Sequence, residues 1–169
     1  MREVVIVSGC RTAIGSFGGS LRDMNTPFLG SIVMREAIKR AGINPALIDD
    51  VRFGCCMEPV DALNAARVAA LMVGIPDTVT AVTVNRVCIS GMEAVLSGAA
   101  LIRAEMADII LAGGMEHMSG VTYSLPGSRW GYRLQDQTVV DDLIHGLHAG
   151  SHLLPGPENG PVKDGPIIA

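Results

Sequence analysis

Short runs of β-branched residues alternate with longer helix-forming stretches along this chain as far as residue 119, and the connections between them are brief. Residues 4–8, 51–55, 80–84 and 108–111 read as buried strands by their Val, Ile and Thr content. Between them, residues 26–40, 64–72 and 90–104 carry apolar residues at helical spacing. The order βαβαβαβ with short loops demands parallel strands joined by right-handed crossovers, and hence an α/β fold. Such sheets place ligands at the carboxyl ends of their strands. Gly9 to Arg11, Cys55 to Glu58, Asn85 to Cys88 and Gly113 to His117 all fall there.

Boundary signals support these assignments. Thr26-Pro27 reads as an N-cap followed by proline at the first helical position, and Gly42 as the stop. Asn64 caps the second helix, which Gly74 and Pro76 end. Pro45 to Ile48 forms a short helical turn, and Gly113-Gly114 a permissive turn beyond the fourth strand. The third helix follows a turn with Cys88 at its tip, where Gly91 allows another backbone to come close.

That turn carries the chemistry. A thiol before a helix N-terminus faces unpaired N–H groups and the positive end of the dipole, both of which favour thiolate. The same N–H groups can hold an oxyanion on a bound acyl carbonyl. Cys88 is therefore a candidate nucleophile for acyl transfer, the alternative being a buried small hydrophobe. Cys55 or Cys56 could act as an acid–base thiol or simply pack the strand end. Glu58 and Asp61 are candidate acid–base groups or solvated loop carboxylates. The loop from Gly9 to Gly19 could cradle a phosphate, but it matches neither a P-loop nor a dinucleotide fingerprint, and packing is the better reading.

Five segments in register resemble the thiolase family. They are Val5-Ile6-Val7-Ser8 with Arg11-Thr12-Ala13-Ile14-Gly15-Ser16-Phe17-Gly18-Gly19, Gly54, Asn64-Ala65-Ala66-Arg67, Asn85-Arg86-Val87-Cys88-Ile89-Ser90-Gly91-Met92, and Ala112-Gly113-Gly114-Met115-Glu116-His117-Met118-Ser119. The resemblance implies a thiolase-like fold, the first βαβαβαβ half of a five-layered αβαβα sandwich. Residues 1–119 would form that half with an incomplete sheet, and residues 120–169 the beginning of the loop domain that covers CoA. It also implies that Cys88 accepts the acyl group, with its own N–H in the oxyanion hole. Met115, Trp130 and Tyr132 would line a substrate channel, though the two aromatics could equally be packing anchors. Arg133, Arg129 and Lys163 are available to meet the CoA phosphates, the alternative being solvated surface groups. Acyl-CoA thioesters are the expected substrates, with no cofactor and no metal. Ala65 and Ile89 depart from the family pattern and bear on acyl-chain preference.

The family's Asn-Glu-Ala-Phe, Gly-His-Pro and Cys-x-Gly segments, which supply the catalytic histidine and the second cysteine, are absent from this sequence. So is the strand that completes the first sheet, which the family places after the loop domain. The resemblance therefore implies a partner: a second polypeptide with the C-terminal half, in a dimer or tetramer of the thiolase unit. The alternatives are a non-catalytic scaffold subunit and an inactive truncated thiolase. A decarboxylating ketosynthase shares the cysteine turn, but Gly113-Gly114-Met115-Glu116 with Met118-Ser119 favours thiolase.

Composition excludes other classes. The 169 residues carry a net charge of −4 without a basic run, which argues against nucleic acid and anionic membranes as partners. Hydrophobic residues make up 49% and charged ones only 18%, which fits a packed α/β domain and not a disordered chain. No apolar run is long enough to span a bilayer, and no leader is apparent. Cys10, Cys55, Cys56 and Cys88 fit no zinc spacing, and a reducing cytoplasm is the expected setting. After Ser119 the sequence turns rich in proline and histidine. Residues 136–148 read as a helix with an apolar face, and residues 155–166 as an irregular loop. His145, His148 and His152 could suggest a metal cluster, but their flanks favour solvated side chains.

Overall fold

The computed structural model describes residues 2–148, which fall in two compact units divided after Gly120. In the first unit, α1 (Thr26–Ala41), β1 (Asp50–Gly54), α2 (Ala65–Met72), β2 (Thr80–Val84), α3 (Ser90–Arg103) and β3 (Ile110–Gly114) follow in order. The three strands form one parallel sheet in the order β2-β1-β3, with Gly54 in register with Val84 on one side and Gly114 on the other. Every strand thus ends at the same edge.

Caps set the helix boundaries. Asn25, not Thr26, caps α1, its side chain accepting from Phe28 N at 2.8 Å. Asparagine binds the orphan N–H at least as well as threonine, which is left as the first helical residue beside Pro27. Gly42, at φ 66°, closes α1 with its N–H on the Ile38 and Lys39 carbonyls. Asn64 does more than cap α2. Its Oδ1 accepts from Arg67 N and from Thr83 Oγ1, and its Nδ2 donates to Ala81 O. Arg67 donates to the Val79 and Asp77 carbonyls. The Asn64-x-x-Arg67 pair therefore bolts α2 to β2 and the turn before it.

The core lies on the side of the sheet covered by α1 and α2. Val51 and Phe53, two residues apart on β1, point into it with Met34, Ile38, Ala65, Ala66, Ala69 and Cys55. Arg52, between them, faces α3, donating to Ser97 Oγ and pairing with Asp50. Helix α3 packs on this second face through Ala94 and Gly98 and leaves Ile89, Met92, Val95 and Leu96 exposed along one stripe.

Two sequence expectations are corrected here. Residues 4–8 form no ladder, and Val5, Ile6 and Val7 are 67%, 85% and 73% exposed. The segment is tied to α1 instead: Ser8 Oγ donates to Ala37 O, Cys10 Sγ to Val33 O, and Arg40 to Gly9 O. Between it and the outer edge of β3 lies a cavity of about 560 Å³, lined by Val4 to Thr12 on one side and Ile109 to Gly114 on another. A strand needs a hydrogen-bonded neighbour, and among the described residues β3 pairs with β1 alone. The last strand is also shifted: Gly113-Gly114 are not a turn but the end of β3. Phe53 lies over Gly113, where a Cβ would stand 2.7 Å from the ring.

In the second unit β4 (Tyr123–Ser124) and β5 (Val140–Asp141) pair antiparallel, and α4 (Asp142–Leu147) follows. The helix expected over 136–148 is thus much shorter. Asp141 caps it, accepting from Leu143 N and Ile144 N, while Val140 is drawn into the strand pair. The loop expected over 155–166 and the residues His152 and Lys163 lie outside the described residues. No helix among those described is long and apolar enough to cross a membrane.

Candidate active site at the strand ends

The segments leaving β1, β2 and β3 meet at the carboxyl edge of the sheet. Cys55, Cys56, Met57 and Glu58 follow β1; Asn85 to Cys88 follow β2; Met115, Glu116 and His117 follow β3. Two glycines, Gly54 and Gly114, let them close together. A Cβ on Gly54 would stand 2.4 Å from Gly91 N and from the Ser90 carbonyl carbon, and one on Gly114 would lie 3.4 Å from Gly91 Cα. The close approach expected at Gly91 is therefore imposed mainly by Gly54. Gly91 itself has room, the nearest atom to its Cβ position being Gly113 O at 4.0 Å.

Cys88 is exposed, just before the first residue turns of α3. The turn that presents it is strained. Val87 has φ 52°, a left-handed conformation that a β-branched residue rarely adopts. Ser90 pins the turn, its Oγ accepting from Arg86 N at 2.9 Å and donating to Val87 O at 2.6 Å. The N–H groups of Ile89 and Ser90 bond to the Arg86 and Val87 carbonyls.

The carboxylate of Glu116 reaches the segment that leaves β1. Its Oε2 accepts from Cys56 N at 2.8 Å and its Oε1 from Met57 N at 3.0 Å. The Cys55 thiol also points to Glu116. Burial, then the Glu116 charge, pushes the Cys55 thiol up to about 12. Partial burial, then Glu116 and Cys88, raises Cys56 as well, and Glu58 is raised by burial and by Glu116. Cys55 is thus a protonated core residue, buried to 1% exposure. His117 is buried, and its Nε2 has no partner among the described residues.

The other expected site residues are dispersed. Met115, expected to line a channel, is packed in the core at 8% exposure, its sulfur against Gly30. Trp130 and Arg133 belong to the second unit and are exposed there, Trp130 at 86%. Arg129 and Tyr132 are exposed in the same unit, where Tyr132 donates to Pro126 O. No three His, Cys, Asp or Glu among the described residues are placed to hold a metal ion. Sequence reasoning gave no role to Glu116 or Asn85, although both stand inside the quoted segments.

The parallel sheet thus presents an exposed cysteine in the turn between β2 and α3, directly after the left-handed Val87. Residues 4–153 match the family described as Thiolase, N-terminal domain, and the chain belongs to the thiolase family. It is 47% identical over 159 residues to an acetyl-CoA acetyltransferase of Syntrophomonas wolfei, covering 88% of this chain and 40% of that protein. It is 44% identical over 153 residues to beta-ketothiolase BktB of Cupriavidus necator, covering 89% and 39%. The crystal structure of the Bacillus anthracis acetyl-CoA acetyltransferase superposes with a TM-score of 0.81 at 42% identity, over 85% of this chain and 36% of that one. The chain spans about two-fifths of the length of the curated relatives it matches, and its α/β fold is thiolase-like.

Proposed function

We propose that this chain supplies the nucleophile-bearing portion of an acyl-CoA C-acyltransferase, with Cys88 as the acyl acceptor. The observation that carries the reading is the exposed Cys88, presented on the strained Val87 turn just before the N-terminus of α3. The Cys88 sulfur, as thiolate, attacks the thioester carbonyl carbon of acyl-CoA. The oxyanion that forms takes the Cys88 N–H as one donor. Its collapse breaks the carbon–sulfur bond to CoA, which leaves as the thiol with the proton that Cys88 gave up. Acyl-Cys88 then receives the enolate of a second acyl-CoA, giving a 3-oxoacyl-CoA and free Cys88. Thiolysis is the reverse.

The α-proton of the second acyl-CoA needs a base. Cys55 is held as a thiol, and Glu116 is engaged by two backbone N–H groups. The base, the second cysteine and the catalytic histidine are proposed to come from the remaining part of the thiolase unit. The exposed stripe of Ile89, Met92, Val95 and Leu96 on α3 supports this, because an apolar helix face beside a reactive centre calls for a cover. Trp130 and Arg133 are the groups proposed to meet CoA, while Met115 backs the strand ends from the core.

The test is to add a polypeptide carrying the C-terminal thiolase half and to follow CoA-dependent cleavage of acetoacetyl-CoA. Activity should require both chains and vanish in Cys88→Ser. Turnover by the 169-residue chain alone, or an active Cys88→Ser mixture, would overturn the proposal.

A further inference from the structure

The Cys88 turn is braced from outside as well as from within. Its strain is concentrated at Val87, which bonds directly to Asn85 and Ser90 of the same segment, and Asn85 is in turn tied to the ends of the two other strands. Val87 N donates to Asn85 Oδ1 at 3.0 Å. The other end of the same amide, Asn85 Nδ2, donates to Cys56 O at 3.0 Å. An amide engaged at both ends has its orientation fixed, because reversing it would set a donor on a donor and an acceptor on an acceptor. The peptide that Asn85 grips is held in turn by Glu116, through the N–H groups of Cys56 and Met57. A continuous path thus runs from the end of β3, across the end of β1, to the turn after β2.

We propose that Glu116 and Asn85 are positioning residues for Cys88: with the Cys56 backbone they form a hydrogen-bonded strut that holds Val87 left-handed and so fixes where the Cys88 sulfur stands at the mouth of α3. The proposal rests on the reading of Cys88 as the acyl acceptor. Its physical logic is that a left-handed valine persists only where its surroundings over-determine it. Ser90 supplies restraint from the helix side and the strut supplies it from the sheet side. Glu116 suits the task because a carboxylate accepts two backbone N–H groups at once, whereas glutamine would turn its own N–H₂ toward one of them.

The experiment is the iodoacetamide alkylation rate of each cysteine in the full chain, read by peptide mass spectrometry. A thiol held at a helix N-terminus is the more reactive one, so the strut's loss should slow Cys88. Glu116→Gln breaks one N–H bond to the carboxylate, and Asn85→Asp sets an oxygen against Cys56 O while keeping the acceptor for Val87 N. Each should slow Cys88 on the order of tenfold, the scale of one charge-assisted or buried hydrogen bond. The double variant should be no slower than the slower single, because both act along one path. Cys55 should stay unlabelled and Cys10 unchanged, which separates repositioning from unfolding.

Val87→Gly supplies the rescue. Glycine adopts a positive φ without strain, so in that background Glu116→Gln should slow Cys88 far less. Rates within twofold of the parent in both folded variants, multiplicative effects, or failure of the rescue would overturn the strut. Should Glu116→Gln expose Cys55, Asn85→Asp alone decides, since it leaves the carboxylate in place. Failure of the underlying reading looks different: in the unsubstituted chain Cys88 would then react no faster than Cys10, and acetyl-CoA would not protect it.

Discussion

Gly54→Ala tests the packing on which the site stands. The added Cβ would fall 2.4 Å from Gly91 N, 2.4 Å from the Ser90 carbonyl carbon and 2.7 Å from Ser90 O. All three are backbone atoms, so no side chain can rotate away. Ordinary contact begins near 3.4 Å, so the first turn of α3 must retreat from β1 by 3.4 − 2.4 = 1.0 Å. The strand cannot yield instead, since β2 and β3 hold it on both sides. Overpacking commonly costs 1–3 kcal/mol, and this rigid case belongs at the top, about 3 kcal/mol. For a unit of this size that lowers the melting midpoint by roughly 10 °C. Circular dichroism melts would measure it. Gly91→Ala is the control from the same contact: its Cβ meets only Gly113 O at 4.0 Å, so its midpoint should stay within about 2 °C of the parent. A Gly54→Ala chain that melts with the parent, or a Gly91→Ala chain that falls as far as Gly54→Ala, would refute the reasoning.

Asn64→Ala removes a cap and two ties to β2, and should cost about 2–3 kcal/mol in urea unfolding. A loss typical of a surface substitution would show that the Asn64-x-x-Arg67 pair is not a bolt. Asp49 accepts from Ile109 N and Asp108 N, which hold its carboxyl below the usual carboxylate value. Its contribution is present above the unfolded value near pH 4 and is lost as pH falls through the folded one. Asp49→Asn should therefore lower the urea midpoint at pH 7, with the gap to the parent closing below about pH 4; a gap that widens in acid would contradict the sign. Because the Cys55 thiol is pushed up to about 12, it should resist iodoacetamide at pH 9 in the folded chain and react once urea unfolds it. Labelling at the rate of Cys88 would place it outside the core.

What the sequence made legible was local. The second helix could be read because its cap, its apolar spacing and its stop all sit within a dozen residues. Cys88 could be read because strand, turn and helix follow one another directly. What escaped depends on tertiary partners. Residues 4–8 have strand composition, yet no ladder forms without a neighbouring edge. Gly113-Gly114 look like a turn until Phe53 is seen to occupy the space a Gly113 side chain would fill, and the Gly54 and Gly91 backbones to crowd Gly114. Glu116 reaches Cys56 across a separation of 60 residues, a contact set by the register of β1 with β3. Val87 carries no mark of its positive φ in its residue type; only Asn85 and Ser90 around it explain how it is held.

The central claim is that Cys88 takes an acyl group from CoA, and the most direct measurement is peptide mass spectrometry of the chain, with its complementary half, after brief exposure to acetyl-CoA and acid quenching. The account predicts one acetyl group, on the peptide containing Cys88, removed by added CoA and absent from Cys88→Ala. Acetylation spread over Cys10, Cys56 and Cys88 alike, or an adduct that persists in Cys88→Ala, would contradict it.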